Sequence, residues 1–475
     1  MVVKPLVVSV LALMACSVQA AGLDRSGQSI LPFLQSGNYL ELGVSYLSPE
    51  VAGKDTTGKA VPEMAEDYHF VTGAVKADIN EQFQIGVLYD QPYGGAATCT
   101  GQNNFVSANN SYTLPGSPNP IPNAAIGITG ATSVDVTSHN LTALLGFKPM
   151  PSVMVYAGPA AESIQGRVQL RGPAYSALNG YTAEINEDSS VGYVAGFAFE
   201  KPEIALKFAL TYRSEIEHKL RAQESIALPD AAALTLAGVE QQLTGVNAQL
   251  GLVNAGLQQV QAGLQQDPTN AALLAQQQTL QGQQAQLQAG KTQLEGAKPR
   301  LQGLAAFPSS LNSDTKITTP QSVNLDFQTG VMKDTLAFAN VRWVNWSKFA
   351  VKPNLFGAAT GLLVAGGLNI VDYTDDQWSA TVGVGRKLTP QVAGSVSVGW
   401  DSGAGNPITT LGPTEGYWNV GVGVRYSPVK DVDVSLGAKY FWLGDADAKI
   451  SSGTVVGTFE DNQALALGLK LGYRF

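Results

Sequence analysis

The 475-residue chain is poor in the residue types that build most catalytic centres. It has 3 histidines and 2 cysteines, and 14% of its residues are charged, against roughly 25% in ordinary globular proteins. His69, His139 and His218 are scattered, with no nucleophile motif or metal-ligand spacing beside them. No enzyme site, cofactor motif or metal site is legible. The net charge of -9 supplies no basic stripe to neutralise phosphates, which excludes nucleic acid as a partner. After the leader described next, no apolar run reaches the ~18 residues that mark a spanning helix.

The N-terminus has Lys4, an apolar stretch from Leu6 to Ala15, and the small-residue site Val18-Gln19-Ala20. This is the pattern of a secretory signal peptide over 1–20, cleaved near Ala20. A lipoprotein site ending at Cys16 is the rival, and Met14 fits it poorly. With Cys16 removed, Cys99 has no internal disulfide partner.

Alternation is what the sequence has in quantity. Leu465, Leu467, Leu469, Leu471, Tyr473 and Phe475 alternate with Ala466, Gly468, Lys470, Gly472 and Arg474. Strict period-two patterning marks a strand with one oily and one wet face. About fourteen such segments follow one another, each near the ~9–11 residues that a tilted membrane strand needs. They fall at 38–48, 67–79, 83–91, 133–148, 152–162, 189–200, 203–214, 316–329, 335–347, 375–387, 391–401, 416–427, 431–443 and 461–475. Short turns such as Lys201-Pro202 alternate with long connections, among them 163–188, 215–315 and 348–374. The expected fold is an all-β transmembrane barrel: a short N-terminal plug at 21–37, strands 1–7 over 38–214, and strands 8–14 over 316–475. Short turns on one side and long loops on the other is the asymmetry of barrels in the Gram-negative outer membrane. The lipid of that membrane is then the first partner.

The connection at 215–315 differs in kind. Leu236, Val239, Leu243, Val246, Leu250, Val253, Leu257, Val260 and Leu264 step by three and four residues, a heptad seam. Asp267-Pro268-Thr269-Asn270 breaks it, and Leu273, Leu280, Leu287, Leu294 and Leu301 continue at sevens, with an end near Pro299. The spacing predicts a helical hairpin over about 232–300, each arm roughly 30 residues and so ~45 Å long. It buries its own seam as an antiparallel coiled coil, or pairs through that seam with a partner or a second copy.

Several stretches resemble the FadL/TodX-type outer-membrane transporters of hydrophobic compounds. They are A-G-L-D-R-S-G-Q at 21–28, S-Y-L-S-P-E-V-A-G-K-D at 45–55, Y-D-Q-P-Y-G at 89–94, T-P-Q-S-V-N-L-D-F-Q-T-G at 319–330, V-R-W-V-N-W-S-K-F at 341–349 and Y-W-N-V-G-V-G-V-R-Y-S-P at 417–428. The resemblance implies a plugged fourteen-stranded barrel that takes up long-chain fatty acids or other apolar molecules and releases them sideways through its wall. The Asn-Pro-Ala motif usual in that family's plug is absent between Ala21 and Gly37.

An apolar pocket binds a hydrocarbon tail by removing it from water, at about 0.8 kcal/mol per methylene. A carboxylate head needs a nearby cation. Lumen parity offers Lys76, Lys207, Arg213, Arg342, Arg425, Lys439 and Lys470, each of which an ion pair with a neighbouring acid would also explain. Arg342 with Phe338 and Asn340, and Lys439 with Phe441, are the first candidates for ligand contact. Phe356, Leu362, Leu363, Val364, Leu368 and Ile370 make the loop at 355–371 unusually apolar, as an entry groove or as a cap folded inward. A non-selective aqueous porin and a surface protein acting through its hairpin are the competing functions. Leu471, Tyr473 and Phe475 match the terminal signal that the barrel assembly machinery reads. Deleting Phe475 is expected to lower the amount of folded barrel in the membrane, measured by heat-modifiable migration on gels.

Overall fold

In the computed structural model, which describes residues 23–108, 110–114 and 120–475, one antiparallel sheet closes on itself. The leader expected at 1–20 lies outside the described residues. The sheet contains 17 segments. Three strands are each interrupted once, so the wall has fourteen. These are β1 (Tyr39–Glu50), β2 (Tyr68–Asp78), β3 (Phe83–Asp90 and Gly94–Thr98), β4 (Ser133–Met150), β5 (Val153–Leu170), β6 (Tyr181–Lys201) and β7 (Leu206–Arg213 and Ile216–Ser225). They continue with β8 (Ser310–Thr319 and Ser322–Met332), β9 (Thr335–Val344), β10 (Gln377–Lys387), β11 (Val392–Asp401), β12 (Tyr417–Val429), β13 (Val432–Leu443) and β14 (Gln463–Arg474). Each pairs with the next, and β14 returns to β1 with Tyr39 opposite Arg474 and Glu50 opposite Gln463. Closure removes the last free edge, the condition for a sheet to stand in hydrocarbon.

Side-chain alternation gives that wall its two faces. Leu465, Leu467, Leu469 and Leu471 of β14 and Val420, Val422 and Val424 of β12 are exposed on the outside. Ala464 and Ala466, by contrast, are buried in the lumen. Rings border the apolar band at the long-loop end, where Tyr193 meets Tyr212, Trp343 meets Trp378, and Trp400, Trp418 and Trp442 stand in register. At the short-turn end Phe83 meets Phe147 and Tyr473 stacks on Phe475. These are the two interfacial girdles of a membrane barrel. Among the described residues, no helix is long and apolar enough to cross a membrane.

The strands outrun the sequence-based boundaries on the outer side. The connection expected at 163–188 is largely strand, because β5 continues to Leu170 and β6 begins at Tyr181. Ile216–Ser225 and Ser310–Thr319 likewise extend β7 and β8 into the region expected as loop. Above the girdle the outer face meets water, so the apolar-out pattern used to find strands is missing there. Arg167 and Glu184, paired at 3.3 Å, occupy such outer positions.

Two helices rise from this end, α1 (Leu228–Gln266, 39 residues) and α2 (Ala271–Ala305, 35 residues), hence roughly 58 and 52 Å long. Leu243, Leu250, Leu257 and Val260 are buried between them. Gln284 donates to Asn254 at 2.7 Å, and Lys298 pairs with Glu240 at 3.3 Å. The Asn270 side chain caps α2 by accepting from the Ala272 and Leu273 amides. The expected end at Pro299 is corrected: α2 runs through it to Ala305. Burial of Leu301 against the loop core at the base of the hairpin holds the helix past the proline.

Outer loops fold inward over the barrel mouth. Trp346 is fully buried and touches Phe349, Tyr373 and Tyr93 edge-on at 5.1–5.7 Å. Glu224 at the top of β7 accepts the Leu355 and Phe356 amides at 3.0 and 2.9 Å, which fixes the first turn of α3 (Asn354–Gly361). Cys99 is buried in the same cap, and burial pushes its thiol up to about 12. A thiolate is what reacts, so the folded protein should resist maleimide at pH 8. Unfolded chain, with an ordinary thiol near about 8.5, should label. Mass spectrometry of labelled protein before and after denaturation checks this.

Candidate functional site: an apolar cavity above a lumenal segment

Residues 23–37 run inside the lumen, from the loop end toward the short-turn end, before β1 begins. Two kinds of contact hold this segment. Ile30, Leu31, Phe33 and Leu34 are buried against Leu88, Leu144, Met154 and Tyr156 of the wall. Burying each such side chain stabilises by about 1.5–3 kcal/mol. Above them lies a polar clamp centred on Arg342 of β9. Its Nε donates to Asp24 at 2.8 Å, and its terminal nitrogens donate to Asn324 at 2.7 Å and to the Gln28 side chain at 3.1 Å. Arg342 and Asp24 are 1% and 0% exposed, so this ion pair is fully desolvated and well supplied with hydrogen bonds. Arg213 donates to the Gln28 carbonyl at 3.0 Å, Lys207 to the Leu34 carbonyl at 3.0 Å, and Ser26 to Asp90 at 2.6 Å.

The segment also docks on the interruption of β3. Pro92 has no amide hydrogen to continue a ladder, and Tyr93 turns into the lumen against Trp346, its amide donating to Ser138 at 2.8 Å. The Arg25 amide donates to the Pro92 carbonyl at 2.7 Å, and the Gly94 amide to the Leu23 carbonyl at 2.9 Å. A Cβ on Gly94 would collide with the Arg25 guanidinium. Ladder pairing between β2 and β3 covers Gly73–Asp78 only. Beyond it, the Gln91 side chain accepts the Val71 amide at 3.0 Å in place of a ladder bond.

Above the segment lies a cavity of about 1370 Å³, part of it continuous with solvent. Its wall is apolar: Leu47 of β1 and Val51 just after it, Val134 and Val136 of β4, Ile164 and Val168 of β5, and Phe349, Ile370 and Tyr373 of the inward loop. Among the described residues that line it there is no lysine or arginine, and the one carboxylate is Asp24. A second cavity of about 750 Å³ lies beside the segment, bordered by Ser26, Glu41, Phe70, Asp90, Arg213 and Lys470.

The residues proposed from sequence lie elsewhere. Arg342 is part of the clamp. Asn340 donates to Asp326 at 2.8 Å, and Phe338 is buried over Gly383. Phe441 is buried edge-on to Tyr417 at 5.1 Å, and Lys439 lies against Gly421 on the lumen face of β13. Phe356 packs edge-on to Tyr181 at 5.0 Å, Leu368 is half-buried against the cap, and Leu362 and Leu363 are exposed at the loop tip. Of the loop residues, Ile370 reaches the cavity. The other lumen cations have acid partners in several cases: Lys76 with Asp78, Lys207 with Glu200, Arg425 with Asp433 and Lys470 with Glu41. Strand parity found the lumen face but carries no signal for depth along the axis. Leu47, Val134, Ile164 and Val168 therefore escaped notice.

This architecture occurs in solved channels. A FadL homologue from Pseudomonas aeruginosa superposes with a TM-score of 0.60 at 15% identity, covering 98% of this chain and 99% of that one. The Pseudomonas putida toluene transporter TodX gives 0.53 at 10% identity over 97% and 96%. A deltaS2 mutant of the TodX monoaromatic hydrocarbon channel gives 0.53 at 11% over 97% and 98%. The chain is thus similar in fold to FadL/TodX-type outer-membrane channels. No family model and no curated protein matches its sequence. Replacing Arg342 with alanine leaves Asp24 buried and unpaired, a change costing about 3–5 kcal/mol. The expected outcome is a loosened segment and raised ion conductance in planar bilayers, with Arg342→Lys intermediate.

Proposed function

We propose that this protein is a Gram-negative outer-membrane channel for passive uptake of hydrophobic molecules. The observation that carries this is the apolar cavity, partly continuous with solvent, that lies above the lumenal segment. A molecule seated there loses its hydration, worth about 0.8 kcal/mol per methylene. The segment keeps ions from following. Sideways release into the membrane is supported by the break of β3 at Gln91-Pro92-Tyr93, where the wall between β2 and β3 lacks its ladder.

The long-chain fatty acid expected from the family resemblance meets a physical objection at the outer cavity. No cation lines it to offset desolvation of a carboxylate, and the charge of Asp24 is already matched by Arg342. Uncharged apolar molecules suit it better. A specific observation keeps the fatty-acid reading alive. Arg213 has a buried Nε with no hydrogen-bond partner among the described residues, and Arg213 borders the second cavity together with Lys470. The hairpin is proposed to act as a self-contained coiled-coil projection rather than as the transport element.

Mass spectrometry of molecules that co-purify with the protein is the decisive measurement. A recurrent set of apolar compounds is expected, and Ala97→Phe, which fills the cavity, should reduce their yield severalfold without loss of barrel. Steady large conductance in planar bilayers, with no co-purifying ligand, would instead establish a porin.

A further inference from the structure

The wall has a second discontinuity, between β6 and β7. Ladder pairing runs from Thr182↔Ser225 to Ile185↔Ala222, stops, and resumes at Val194↔Arg213. The register is the same on both sides of the break, so residues 186–193 face 214–221 across a seam that the ladder could have closed. Side chains take its place. Ser190 donates to the Glu217 carbonyl at 2.7 Å, Asp188 accepts the Lys219 amide at 3.3 Å, and Ser214 accepts the Tyr193 amide at 2.9 Å. A backbone bond from the Ser214 amide to the Tyr193 carbonyl, 3.0 Å, closes the lower end.

Both strands change facing at this level, which is why the ladder fails. On β6 the pairing with β5 shifts between Ile164 and Gly166. On β7 the lumen face passes from Thr211 and Arg213 to Ile216, His218 and Leu220, all buried. Opposed residues on the two strands therefore point to opposite sides of the wall. The widened space is filled by His218, whose Nε2 lies 3.3 Å from Glu162 and whose Nδ1 lies 3.6 Å from Asp188. Among the described residues that buried Nδ1 has no hydrogen-bond partner. Ile216 packs over Gly192, where a Cβ would lie 2.6 Å from its Cγ1.

Height decides what such a seam can do. Tyr193 and Tyr212 belong to the outer girdle, so residues 186–192 stand on the water side of the membrane border. On the lumen side, Ile164, Gln165, Ile185 and Leu220 flank the same stretch and also line the apolar cavity. The seam is thus a thin partition between the cavity and the surface at which apolar compounds concentrate.

We propose that uncharged apolar molecules enter the cavity sideways, through transient separation of β6 and β7 at 186–193 and 214–221. This rests on the reading of the cavity as the ligand site. The lower end of the entrance adjoins the girdle at Tyr193 and Tyr212, where a molecule partitioned into the membrane border lies beside it.

The test is a reversible cross-link in the full-length protein. Asp188→Cys with His218→Cys, whose side chains meet on one face of the wall, places a disulfide across the seam, and Gly192→Cys with Ile216→Cys is a second pair should the first fold poorly. Glu184→Cys with Gln223→Cys links the paired part of the same two strands. Cys99 is buried and does not interfere. The readout is the rate at which an uncharged naphthylamine fluorophore loads into purified protein. Oxidation of a seam pair should slow loading by at least about tenfold, as expected when the entry-competent state is removed. Reduction should restore it, and the control pair should load at the wild-type rate. Equal rates for fully oxidised and reduced seam pairs overturn the proposal, as does equal slowing by the control pair. If neither wild-type nor reduced protein takes up the fluorophore at all, the ligand-site reading itself falls.

Discussion

A peptide group in hydrocarbon must find its hydrogen bond within the protein. That requirement explains the place of β14 in the sheet. β14 is the strand that converts a curled sheet into a closed one, and its register with β1 runs unbroken from Tyr39↔Arg474 to Glu50↔Gln463. Every other feature is built on the wall so formed. The lumen is sheltered from lipid, so it can hold charge. Between the two girdles the outer face is sheltered from water, so there it can be oily. Irregular backbone is confined to places where side chains or the lumenal segment supply the missing bonds. The interruption of β3, filled by Gln91 and residues 23–25, is one such place. The seam beside His218, above the girdle, is another.

Within the wall, polar and apolar work are separated by depth. The clamp around Arg342 and the apolar turn at Ile30–Leu34 occupy the middle and lower lumen, where they anchor the segment. The cavity occupies the upper lumen, where loop residues such as Phe349 and Tyr373 fold down to complete it. Of the cations that parity places in the lumen, Arg342, Arg213 and Lys207 serve the first task, Arg425 and Lys470 pair with acids of the wall, and none lines the cavity. An oily ligand therefore meets a surface that discriminates by hydration rather than by charge.

Strand count, order and closure were legible in the sequence because lipid imposes strict alternation on each crossing. The seam of α1 and the turn at Asp267–Asn270 were legible for the parallel reason that a heptad stripe must face its partner. Legibility stopped where those constraints stop. β5 and β6 continue above the girdle, where no face need be oily, and that stretch read as loop. Pro299 read as a helix end because local propensity ignores the burial of Leu301. The site residues were the weakest part. Arg342 was singled out correctly as a lumen cation, yet its partner Asp24 lies more than three hundred positions away. Nothing in local spacing announces such a pairing. The cavity is likewise assembled from residues on nine strands, three loops and the lumenal segment, each unremarkable in its own stretch.

Asp24 borders the cavity and also holds Arg342. That carboxylate is already sealed from water and matched by its guanidinium. The floor of the cavity therefore presents a locked, charge-balanced pair: the bond that fixes the lumenal segment also spares the cavity a bare negative charge.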